Sequence, residues 1–487
     1  MTLYKRMAIA LIALLSLATF ASAQTWTALN HQPGVNVGPM LQLRDGRILV
    51  HEEQSGNPRN WWVLTPDATG SYVNGTWSSG GQLQAGYAPF YFGSQVMLDG
   101  KTVVIAGGEY NNGSAVWTTL GSRLTYSGNS FTWVSNAPPS GWGTIGDAQS
   151  VLLPNGSYMQ ANCCTPQNAI YTGPSTWSAT GNVKAIRNDE SGWTLLPNNK
   201  VLAVDVQVVN NCGGSTRSSE LYDPTTGTWS CGPQTPVQLW TQNDQELGAA
   251  QLMYNGKVLQ FGGAVSATAI YDVASNTWAA GPTPANGLNQ ADGPSALEPN
   301  GKVLAVLSPG LFSSPCQFVE YNPATNSLAN TANAATCPGG SSFIAHLFVL
   351  PTGQIMNTDF GSFVQVYNPV SGVAAGAAPT ILAASTHLTA GSVNNVLYGK
   401  QLNGLSQGSN YGDDYQGDTN FPLVRLTNTS TGNVYWALTH DESTHSITPG
   451  VVMFTKFDIP ASVPNGTYKL NTVANGILSN PVVVSIP

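Results

Sequence analysis

The chain has 487 residues, a formal net charge of −8, and charged side chains at only 9% of positions. With no run of Lys or Arg after the N-terminus, this balance excludes nucleic acid as a partner, because a polyanion requires a basic stripe that displaces counterions. Disorder is excluded too: 42% of residues are hydrophobic, and 52 Gly with 31 Pro suit many short strands joined by tight turns.

Lys5 and Arg6 precede an uncharged apolar run from Met7 to Phe20, and Ala21-Ser22-Ala23 supplies a small-x-small cleavage site. Residues 1–23 therefore read as a signal peptide, with Gln24 the first mature residue and the protein secreted, extracellular or periplasmic. No later segment reaches the roughly 20 apolar residues of a bilayer crossing. The mature chain is expected to lack a membrane span and to be a monomer.

From there one phrase returns seven times, an Asn-Gly or Asp-Gly type of turn between two apolar stretches. It begins at Leu43-Arg44-Asp45-Gly46 and Leu98-Asp99-Gly100, and continues at Leu153-Pro154-Asn155-Gly156, Leu196-Pro197-Asn198-Asn199 and Tyr254-Asn255-Gly256. Glu298-Pro299-Asn300-Gly301 and Leu350-Pro351-Thr352-Gly353 complete the series. Such turns tolerate positive φ and read as tight hairpins. A second hairpin follows each, clearest at Tyr222-Asp223 to Trp229 and Tyr271-Asp272 to Trp278. Four strands per repeat and turns 43–57 residues apart predict a seven-bladed β-propeller over residues 24–372. Gly107-Gly108 and Gly262-Gly263, with the Tyr and Trp positions, resemble kelch repeats. The seventh repeat lacks its outer strand, and Thr25-Trp26-Thr27-Ala28 at the mature N-terminus is suited to supply it.

Six cysteines in an exported chain suggest disulfides. Short separations favour Cys212–Cys231 and Cys316–Cys337, leaving adjacent Cys163 and Cys164 as a vicinal bridge or as thiols. Residues 373–378 read as a linker. Residues 379–487 read as an immunoglobulin-like β-sandwich of short alternating strands, whose Asn465 to Ser479 stretch resembles the final hairpin of early-set domains. Within it, Tyr411 to Asp418 reads as a solvated acidic loop, or one steadied by calcium.

A kelch propeller followed by such a domain resembles the galactose oxidase and glyoxal oxidase family. That resemblance implies copper held by two Tyr and two His, with one Tyr cross-linked to a Cys. His445, in Ser443-Thr444-His445-Ser446, matches the family's C-terminal His, and Tyr91, eight residues before Asp99, takes the place of the cross-linked Tyr. The family's adjacent Tyr-His is replaced by Phe343-Ile344, with His346 two residues on, and no cysteine precedes Cys163 to give the sulfur. What remains is a simpler metal site on His445, His346 and Tyr91, extended by His440, or else polar residues at a domain contact.

A second group comes from the repeat itself. Asp147, Glu190 and Asp292 each stand eight residues before their blade's turn, so they should ring the propeller axis, with Asp189, Asp244 and Glu246 close by. Converging carboxylates could bind a hard cation such as calcium, bind sugar hydroxyls beside Trp142, Trp193 and Trp240, act as acid and base, or cap strand ends. Two functions stay open. One is a recognition module that binds an extracellular glycan or protein ligand at the propeller mouth, favoured by the missing cofactor residues and absent catalytic motifs. The other is an enzyme on sugars or alcohols, a galactose oxidase-like metal-dependent oxidase or an acid–base catalyst.

Overall fold

The computed structural model describes residues 24–53, 58–208 and 210–487; the expected signal peptide lies outside them. Seven antiparallel sheets follow one another along the chain, the first six each built as two successive hairpins, with Ser409–Asn410 adding a fifth strand to the sixth. Every one of the seven predicted turns joins the first and second strands of a sheet. In blade 1, for example, the Asp45-Gly46 turn lies between Val37–Gln42 and Ile48–Glu52. Burial falls from axis to rim. The innermost strands Val37–Gln42 and Leu247–Leu252 are buried throughout, whereas the outermost strands Thr176–Ala179 and Thr277–Ala280 are mostly exposed.

The Tyr and Trp of the repeat meet across the last two strands of a blade. Tyr171 is opposite Trp177, Tyr222 opposite Trp229 and Tyr271 opposite Trp278, with ring centroids 5.0, 5.3 and 5.1 Å apart. Aromatic cross-strand pairs of this kind stabilise a sheet locally. The seventh blade closes the ring with the N-terminus: Thr25–Ala28 pairs with Gln365–Asn368, and Trp26 takes the Trp place opposite Tyr367.

Strands from Thr380–Ala384 to Val482–Ile486 form a β-sandwich around Leu397, Leu426, Phe457, Tyr468 and Leu470. It packs on the propeller face that carries the seven turns. The Thr439 and His445 amides donate to the Arg44 and Pro154 carbonyls, and Trp436 lies over Gly46. Cys212–Cys231 and Cys316–Cys337 are bonded, and so are Cys163 and Cys164. No helix among the described residues is long and apolar enough to cross a membrane.

Candidate functional site

The segment between the sandwich strands Asn395–Lys400 and Leu423–Asn428 does not stay on the surface. From Leu402 to Val424 every residue is buried, because this segment runs up the propeller axis and back. On the way up, Ser406 contacts the Leu252 carbonyl at the base, and Ser409–Asn410 pairs with Ser295–Ala296 of the sixth innermost strand. Near the top Gly412 lies so close to blade 6 that a Cβ there would stand 2.7 Å from Asp292 Oδ1. On the way down the Tyr415 hydroxyl donates to the Met40 carbonyl at 2.7 Å. The expected solvated loop at Tyr411–Asp418 is therefore an axial plug, with Asp413 and Asp414 at its tip. Buried backbone needs partners: Asn475 donates to the Ser406 carbonyl of the plug, while the plug's Gln407 accepts from the Leu195 amide and its Asn410 donates to the Ala250 carbonyl of the inner strands.

The tip meets the strand starts in a cavity of about 290 Å³ at the mouth. Seven carboxyl groups line it: Glu109, Asp147, Glu190, Glu246 and Asp292 from five consecutive blades, and Asp413 and Asp414 from the plug. Burial is the main cause that pushes Asp147, Glu190, Asp292 and Asp414 well above the usual carboxylate range, and mutual repulsion adds to it. Glu246 is raised to about 8 by the same two causes. Asp147, Glu190 and Asp292 do share one cavity. Glu246 joins them although it stands one place out of register, because a bulge between Leu247 and Ala250 shifts its strand. Asp189 is held instead by Arg187 at 2.6 Å, and Asp244 by the Thr241 hydroxyl at 3.1 Å.

The aromatic residues of the mouth are not the expected ones. Trp193 is fully buried and packs at a tilt against Trp229 of its own blade, Trp240 is equally buried under the fifth blade, and Trp142 packs against the outside of the third. Their positions relative to the strand starts turn Trp193 and Trp240 into the blade cores. Tyr91, Tyr110, Phe312 and Phe343 line the cavity instead. Tyr91, Asp292 and Phe312 have φ of 52°, 44° and 49°, a left-handed backbone that side chains rarely adopt outside constrained sites. Trp117, half exposed, lies over Gly146 next to Asp147.

Copper is the metal that the family resemblance implies, and the donors do not fit it. His445 is buried at the domain contact, where Nε2 faces the Asn420 amide at 3.0 Å and Nδ1 lies 3.6 Å from Glu442. His346 stacks on Tyr411 with centroids 5.4 Å apart, and burial lowers it to about 3. Tyr91 touches neither; its rings in contact are Tyr110 and Phe360. His440 bonds Asp441 and Asp458 at 3.1 Å each. Among the described residues no imidazole lines the mouth, and all six cysteines are in disulfides, so Tyr91 has no sulfur partner.

The fold has solved relatives. A fungal alcohol oxidase of the AA5 family, in complex with copper, superposes with a TM-score of 0.54 at 15% identity, over 96% of this chain and 99% of that one. A virginiamycin B lyase from Staphylococcus aureus gives a TM-score of 0.47 at 8% identity, over 71% of this chain and 99% of the other. No protein-family model and no curated protein matches the sequence. The likeness to the oxidase is one of architecture, a propeller capped by a β-sandwich.

Proposed function

We propose that this is a secreted recognition protein whose propeller mouth binds a hydroxyl-rich ligand, an extracellular carbohydrate. The observation that carries this reading is the mouth cavity itself, where seven carboxyl groups and four aromatic rings face one space. Carboxyl oxygens accept from hydroxyl donors, so neighbouring carboxyl groups can hold adjacent sugar hydroxyls. Phe312 and Trp117, 41% and 51% exposed, offer apolar faces at the rim for the C–H side of a sugar ring. The cavity volume is near the lower limit of small-ligand sites, which suits one or two sugar units at a chain end.

Glycan-array screening of the mature protein, followed by calorimetry on the best ligand, tests the proposal. Trp117→Ala and Phe312→Ala should each weaken binding roughly tenfold, about 1.4 kcal/mol, and Asp147→Asn or Glu190→Gln by more. An array without a retained glycan, or affinities indifferent to all four substitutions, would overturn it. Recovery of the ligand in shortened form would transfer the same carboxyl groups to acid–base hydrolysis, for which Glu246, raised to about 8, is the acid at neutral pH.

A further inference from the structure

Several buried carboxylates elsewhere in this protein have a cation beside them, although Asp359 and Asp418 do not. Asp205 and Glu220 share the Lys184 ammonium at 2.9 and 3.6 Å, and Glu442 faces Arg44 at 2.8 Å. The mouth departs from that pattern: no Lys, Arg or His is among the residues that line it. Asp413 and Asp414 are each only 2% exposed, yet Asp413 Oδ2 and Asp414 Oδ1 have no hydrogen-bond partner. Asp147 Oδ1, Asp292 Oδ1 and Glu246 Oε2 are also without one. A buried acceptor left unsatisfied is costly. Five of them turned on one space point to a positively charged occupant.

The geometry also sets the number of ions. Asp147, Asp413 and Asp414 can each place a carboxylate oxygen within 4.8 Å of the other two, and Glu190, Glu246 and Asp292 can do the same. Calcium–oxygen bonds of about 2.3–2.6 Å let one ion touch atoms up to about 5 Å apart. Each triad therefore fits one ion, while the six oxygens do not fall into a single group of that size. We propose that the mouth holds two hard divalent cations of the calcium type, one on Asp147, Asp413 and Asp414 and one on Glu190, Glu246 and Asp292. Glu109 and water complete the coordination. Oxygen donors without nitrogen or sulfur select such ions over copper or zinc. The first ion joins the plug to blade 3, and the second joins blades 4, 5 and 6. This goes beyond the carbohydrate reading, since the ions require nothing of the ligand.

The test is a count. Mature full-length protein is treated with chelator, exchanged into chelator-free buffer and titrated with calcium chloride alone, by calorimetry and by elemental analysis. Two equivalents are expected for the wild type and for the Asp272→Asn control, whose carboxylate pairs with Lys257 at 3.1 Å on the surface. Asp414→Asn and Glu246→Gln should each retain one. Because the carboxyl groups must ionise to bind, protons are released, and affinity should fall at least tenfold from pH 8 to pH 6. Fewer than two equivalents in the folded wild type would overturn the pair. So would two equivalents in both variants, or an affinity independent of pH, which is read on the wild type even where a variant fails to fold. Calcium without glycan binding would remove only the carbohydrate reading. Glycan binding by a protein that takes up no calcium would remove only the ions.

Discussion

Arg44 shows how single residues join the two halves of the molecule. Its guanidinium is wholly buried, donates to Glu442 Oε1 at 2.8 Å and lies 4.0 Å from the Phe421 ring centroid. Burial alone would raise Glu442, but the Arg44 charge, with His445 close by, outweighs it and leaves the carboxyl below its ordinary range. Removing one partner strands the other charge in the interface. Arg44→Ala should therefore cost about 3–5 kcal/mol, visible as a Tm several degrees lower, and Arg44→Met with Glu442→Gln should recover much of the loss. A single variant that melts like the wild type would refute that account. His445 belongs to this cluster, which its Thr-His-Ser surroundings in the sequence do not reveal.

Strands and turns were the legible level. An Asn-Gly or Asp-Gly turn is a local demand for positive φ, so each of the seven hairpins could be placed from a few residues. The equivalence of blades then placed Asp147, Glu190 and Asp292 on one rim. Glu246 was displaced by a bulge that has no sequence signature, and Trp193 and Trp240 point into blade cores because pleating, not proximity in the chain, decides which way a side chain faces. The plug was the least legible part, since what buries it is an annulus made by residues up to 375 positions away. Its one cue is that no Lys or Arg occurs from Gln401 to Val424, in a polar, Gly-rich stretch. At the same scale, the clasp strand makes a prediction. Trp26 packs 4.8 Å from Phe318 and 5.3 Å from Tyr367. Deleting residues 24–28 uncovers both rings and leaves Gln365–Asn368 as an open edge, which invites pairing between molecules. Light scattering should show concentration-dependent association; a monomer of unchanged Tm would contradict it.

For the molecule as a whole the mouth carboxyl groups set the response to pH. They are held above their ordinary values, so the folded protein without bound cations binds more protons than the unfolded chain. The stability they contribute is complete below the ordinary carboxylate range and is lost as pH rises towards the folded values, with Glu246 near 8; outside the mouth Glu298, near 8, and Asp418, near 7, act in the same sense. His346 acts in the opposite sense, but only below its ordinary 6.5. In chelator, Tm should therefore fall between pH 6.5 and 8, and calcium should make the slope shallower; a Tm that rises over this window would contradict it. The clasp has a further consequence, for the order in which the protein can be made. Thr25 is synthesised well before its hydrogen-bond partner Asn368, which follows 343 positions later. Contacts so distant in the chain close slowly, so the first strand must wait while six blades assemble. The plug is made later still. A chain cut short anywhere before residue 413 would carry neither aspartate of the tip, and the cavity at the mouth exists only once most of the chain has been synthesised.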